Sequence, residues 1–226
     1  MHGPFKIVSF AAVLALLGAV PSNGSGLLIY TQQFDMTGNA YSSQNDTNGL
    51  GLFAQVYDNF RLEIPTPVNE VGFIGEYFNP PQPGLITGWT VSFYADNAGQ
   101  PGGLIYTTHI SGNGSESFIG MFGGFPTYSY DIEGLDFHPQ AGPQYWLSVY
   151  PDLRLPPQWG WSTAFPADGV SYQDFFGTRT KLTADMAFTL FNHDAVPEPG
   201  TLAGMLTGGL VLAGALRRKL GGARKN

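Results

Sequence analysis

The sequence predicts an all-β body, an antiparallel β-sandwich, set between two short apolar segments. Three observations point there. Apolar and polar residues alternate with period 2 in at least five runs. Glycine and proline are dense between those runs, with 31 and 17 residues in a chain of 226. No stretch between residues 26 and 192 sustains an apolar period of 3.6 over ten residues, so little helix is expected there.

The chain opens with MHGPFK, one positive charge ahead of an apolar run from Ile7 to Val20, and small residues follow at Pro21, Ser22, Gly24 and Ser25. That order is the layout of a secretory signal helix with cleavage expected between about Ser22 and Ser25. Fourteen apolar residues span only ~21 Å as helix, short of a ~30 Å hydrocarbon core. A retained membrane anchor is the competing reading.

Residues 26–192 form the expected sandwich domain, long enough to bury a core without disulfides, of which the chain can have none because it lacks cysteine. In Phe60-Arg61-Leu62-Glu63-Ile64 the apolar residues take one face and the charges the other. Trp89, Val91, Phe93 and Ala95 alternate with Thr90, Ser92 and Tyr94. Similar alternation runs through Tyr128, Tyr130 and Ile132, through Tyr145, Leu147 and Val149, and through Met186, Phe188 and Leu190. A one-residue slip would turn each set toward water, so each run is read with one buried face. Turn-rich breaks separate them at 79–84, 96–103, 112–114, 123–124 and 155–157. Residues 35–50, DMTGNAYSSQNDTNGL, are polar and turn-rich and are expected to be a long loop.

Residues 193–226 complete the chain. Val196-Pro197-Glu198-Pro199-Gly200 leads into an apolar stretch from Thr201 to Leu216, closed by Arg217-Arg218-Lys219. The prolines hold the entry extended. The 16-residue stretch is short for a transmembrane helix, but the basic cluster can snorkel and lengthen it. Basic residues after the apolar run place the tail in the cytoplasm and the body outside. A permanent C-terminal anchor would share that orientation. This order of VPEPG, apolar helix, RRK and chain end resembles the PEP-CTERM sorting signal of Gram-negative bacteria. The resemblance implies recognition of Pro197, Glu198 and Pro199 by an exosortase in the inner membrane, with the helix and basic stop (Arg217, Arg218, Lys219) then discarded. The run FYADNAGQPGGLIYT, Phe93–Thr107, resembles a segment of jelly-roll-like domains of exported bacterial proteins. That likeness extends over about residues 51–165 and implies fold and location, with no shared catalytic activity.

Charge excludes one class of partner. Between residues 26 and 196 four basic residues face sixteen acidic ones, 4 − 16 = −12, and such a body repels a phosphate backbone. Nucleic acid is therefore not expected as a partner, and no cofactor is expected either. There is no G-x-S-x-G element, and Ser115 in Gly112-Asn113-Gly114-Ser115 reads as a turn residue. His109, His138 and His193 lack metal-ligand spacing. Asp96 and Asn97 could offer oxygens to calcium, but an Asx-type turn explains them more simply. Asp131 and Glu133, two apart on one strand face with Asp136 close behind, are the carboxylates a polysaccharide hydrolase would use.

Aromatic residues give the lead for binding. Gln158-Trp159-Gly160-Trp161 puts two indoles on one side of a strand, and Trp146 and Tyr150 share a face of the strand before it. Indole and phenol rings with polar neighbours suit stacking on a sugar ring, and equally suit anchoring a core. The expectation is thus an exported cell-envelope or extracellular-matrix protein with a non-catalytic sandwich and extracellular polysaccharide as its ligand. A hydrolase with a carboxylate pair is the alternative.

Overall fold

A computed structural model describes residues 26–193, and every element in that range is a β-strand. The signal segment, the Pro-Glu-Pro motif, the apolar tail and the basic stop lie outside the described residues.

Fourteen strands divide into two seven-stranded sheets. The first is built on β5 (Val68–Phe78). On one side β5 pairs with β9 (Phe125–Phe137), which carries β8 (Ser117–Phe122) as an edge. The other side of β5 is shared. Its first half pairs with β14 (Phe188–Asn192), next to β1 (Leu27–Gln32), and its second half with β11 (Gln158–Ser162), next to β2 (Ala40–Ser42). The second sheet runs β13 (Thr178–Leu182), β12 (Ser171–Phe175), β4 (Phe53–Arg61), β3 (Gln44–Asp46), β10 (Gln144–Leu153), β6 (Ile86–Asp96) and β7 (Pro101–Ser111). Among the named pairs only β3 with β10 is parallel.

The alternating runs face inward as expected. Trp89, Val91 and Phe93, Leu147 and Val149, Tyr130 and Ile132, and Met186, Phe188 and Leu190 are all buried in one core between the sheets. Phe60 and Leu62 join them, but Ile64 does not. Strand β4 ends at Arg61 and Ile64 is 70% exposed ahead of Pro65, where proline removes a ladder donor.

Three two-residue hairpin turns carry the backbone geometry their glycines permit, one of them at Phe176-Gly177 between β12 and β13. Between β6 and β7, Asn97 and Gln100 exchange backbone hydrogen bonds around Ala98 and Gly99, both at positive φ, and Gly123-Gly124 does the same service between β8 and β9.

Residues 35–50 are not the long loop expected. They contain β2, in the first sheet, and β3, in the second. Polar side chains take the place of apolar packing here. Gln44 donates from Nε2 to the Leu153 carbonyl and accepts the Trp159 N–H at Oε1, while Asn45 donates to Asp152. Ser43 bridges the sheets, donating its backbone N–H to the Trp159 carbonyl of the first at 3.2 Å, while in the second its Oγ donates to the Val149 carbonyl at 2.7 Å and accepts the Val56 N–H at 3.2 Å.

Candidate functional site

The four aromatic residues expected to form one platform do not. Trp159 and Trp161 share a strand face, as period 2 requires, but that face looks into the core and both are 0% exposed. The Trp159 indole N–H donates to Tyr130 Oη at 3.1 Å, and Trp161 donates to the Ala187 carbonyl at 2.9 Å. On the opposite face of the strand Gly160 is covered as well, since a Cβ there would meet the Phe78 ring at 2.7 Å. Each indole has apolar surroundings and one partner for its N–H, the arrangement that lets tryptophan be fully buried.

Trp146 and Tyr150 do share a face, the outer face of the second sheet. Trp146 is nevertheless fully covered, packed edge-on against Tyr172 with ring centroids 5.4 Å apart in a small cluster with Tyr57. Its N–H donates to Asp96 Oδ1 at 2.9 Å. Tyr150 is half-buried beside Phe53, ring centroids 5.1 Å apart. A polar network surrounds the covered cluster. Arg179 makes two bonds of 2.7 Å to Asp174, lies 4.9 Å from the Tyr57 ring centre, and donates to the Pro101 carbonyl at 2.9 Å.

The turn reading of Asp96 holds. Its Oδ1 accepts from Trp146 and Gln144 and its Oδ2 from the Gly99 N–H, so the carboxylate is occupied by the hairpin it caps. The three histidines among the described residues are dispersed, and each sits by one carboxylate: His109 by Asp152 at 3.7 Å, His138 by Asp136 at 2.8 Å, His193 by Glu70. Among the described residues no group of three or more His, Cys, Asp or Glu is placed to hold a metal.

A groove lies on the outer face of the first sheet, across β1, β14, β5 and β9, and encloses about 450 Å³. That is within the usual range for ligand clefts, about 300–1,000 Å³. Gly72 of β5 contributes backbone alone, and a Cβ there would touch Asp131 Oδ1 at 3.0 Å and the Phe191 ring at 3.7 Å. Phe34, Phe165 and Phe191 supply rings, with Phe165 55% exposed. Thr31, Thr189 and Ser129 supply hydroxyls, and Asp131 a carboxylate. No protein family, curated protein or solved structure matches this chain.

The register sorts the carboxylates. Asp131 stands opposite Gly72 and Glu133 opposite Glu70. Partial burial, then the charges of Glu70 and Glu133, push the Asp131 carboxyl above the usual carboxylate range. Asp131 and Glu133 follow one another along a single strand, the groove is lined by Asp131 and not by Glu133, and Asp136 is turned to His138.

Five acids are buried among the described residues, Asp46, Asp58, Glu70, Glu76 and Asp185, and burial shifts the titration of two of them, Asp58 and Glu76. Asp58, 0% exposed, accepts the Met186 N–H at 2.5 Å and the Asn59 N–H at 2.7 Å, and burial raises its pKa well above the carboxylate range. Glu76 is 1% exposed although β5 points it outward. Burial, aided by Asp35, lifts it to about 7. The alternation around Asp58 gives no sign of it, because an acid in a strand ordinarily marks the wet face.

Proposed function

We propose that this chain is an exported cell-envelope or extracellular-matrix protein, sorted by an exosortase at Pro197-Glu198-Pro199, whose sandwich binds extracellular polysaccharide without cleaving it. The groove over Gly72 is the binding site in this reading. What supports it is the groove's chemistry. Rings for the apolar faces of a pyranose, hydroxyls for its equatorial oxygens and one carboxylate to fix orientation line a single open channel. In the same reading the body is jelly-roll-like, in keeping with its two packed sheets and the crossing of the chain between them at Ser43 and again at Gly112–Gly114. The inner membrane holds the precursor by its apolar tail until sorting.

Glycan-array binding by the purified protein tests this, with Gly72→Val as the decisive variant. Valine suits a strand, its methyls enter the groove, and the first atoms it meets belong to the Asp131 side-chain end. Binding by the parent chain and its loss in Gly72→Val at an unchanged melting temperature is the expected result. Equal binding by both would remove the groove from the proposal.

The hydrolase alternative has one observation in its favour, the raised pKa of Asp131 beside a groove. It requires release of reducing ends from a bound polysaccharide and loss of that release in Asp131→Asn.

A further inference from the structure

The body begins and ends at one corner. Leu27 of β1 pairs with Asn192 of β14, and Gly26 lies against the His193 ring, so close that a Cβ on Gly26 would sit 2.7 Å from it. His193 is fixed there by its backbone N–H bond to Asn69 at 2.9 Å and by its ring contact with Glu70. The connection from β4 to β5 comes to the same corner, and a groove of about 340 Å³ runs between it and β1. Three aliphatic side chains stand out around that groove: Leu27 at 48%, Leu28 at 54% and Ile64 at 70% exposure. Arg61 lines it too, one of only four basic residues in the body.

We infer that this corner is a membrane-resting base, and that its occupant is the lipid surface in which the precursor is held. The inference rests on the reading of residues 201–216 as membrane-engaged. Only seven residues, 194–200, separate His193 from that stretch. Fully extended they reach about 25 Å. A body of this size has a radius of gyration of about 15 Å, so its far end lies beyond that reach while the corner at His193 stays within it. Exposed leucine and isoleucine then meet the headgroup and acyl boundary, and the Arg61 stem can lie along apolar surface with its guanidinium at the phosphates. Glu63 stands beside Arg61 in the same groove, so the attraction is chiefly apolar and does not depend on anionic lipid.

Hydrogen exchange on the full chain, reconstituted in phosphatidylcholine vesicles and compared with the same chain in detergent at matched concentration, tests this. The expected result is a severalfold slowing of exchange in residues 27–30 and 61–66 on vesicles, abolished in an Ile64→Asp, Leu27→Asp double variant that still floats with the lipid. Flotation with unchanged exchange in those segments overturns the base and leaves the anchor reading intact. Failure to float overturns the anchor reading, and the base with it. Slowing that appears in detergent as protein concentration rises, and is no greater on vesicles, would assign the patch to a second copy of the chain and so overturn the lipid as its occupant.

Discussion

The indole of Trp159 lies against Gly75, so near that a Cβ on Gly75 would stand 2.0 Å from its Cζ2. The contact binds β5 to β11 from within the core, and it explains a glycine in the middle of the central strand where propensity would disfavour one. Gly75→Ala should therefore destabilise the protein by about 1–3 kcal/mol, the usual range for overpacking a filled interior. Urea midpoints of the two proteins measure it. An unchanged midpoint would mean that the indole has room to withdraw.

Tyr130 relays that indole to the surface. It accepts from Trp159 and donates to Glu116 Oε1 at 2.9 Å, where Tyr77 also donates at 2.5 Å. Tyr130→Phe strands the Trp159 N–H in the core, which costs about 1–3 kcal/mol for a buried donor left without a partner. Denaturant unfolding checks the loss. The variant should also shift the indole fluorescence, since the hydrogen-bonded N–H is the group disturbed.

Glu76 gives a pH dependence with a definite sign. Its carboxyl titrates near 7 when folded against an ordinary value of 4.5. The folded state thus holds its proton over a window in which the unfolded chain has released it. Stability from this group is full below about 4.5, falls as pH rises toward 7, and is flat above. The loss across the window is on the order of 3 kcal/mol. Glu76→Gln should flatten that part of the profile, read as the difference between the two proteins' urea stabilities at pH 5, 6, 7 and 8. Parallel profiles would refute it.

Asp174 works in the opposite sense. Its bonds from Arg179 hold its carboxyl below the usual range, so it stabilises above the unfolded pKa and the gain is lost as pH falls through the lower, folded value. Both side chains are partly exposed, at 27% and 36%, which limits the pair to about 1 kcal/mol. Arg179→Met should remove that share of acid sensitivity and lower the melting temperature by a few degrees at neutral pH. Calorimetry at pH 3 and pH 7 distinguishes the two effects.

Much of the body is legible in the amino-acid sequence. Period 2 located the inward faces of β6, β9, β10 and β14, because a strand with one wet face leaves no choice about which residues go inside. The glycine-bearing breaks at 96–103 and 123–124 locate two hairpins for an equally local reason, the positive φ that a two-residue turn demands, whereas the turn at Phe176-Gly177 between β12 and β13 carries a single glycine and is not among the expected breaks. Strands β2 and β3 were not legible. Gln44 and Asn45 earn their places by bonding to chain more than a hundred residues away, at Leu153 and Asp152, and no local pattern records that.

The candidate site divides the same way. Sequence alone determined that Trp159 and Trp161 share one face and Trp146 and Tyr150 another, since alternation is a property of one strand. Which side of each sheet becomes interior is a property of two sheets. Tertiary packing buried both indoles of β11, covered Trp146 with Tyr172 from β12, and left the open groove over Gly72, where the missing side chain matters only because Asp131, Phe34 and Phe191 are brought around it from three other parts of the chain.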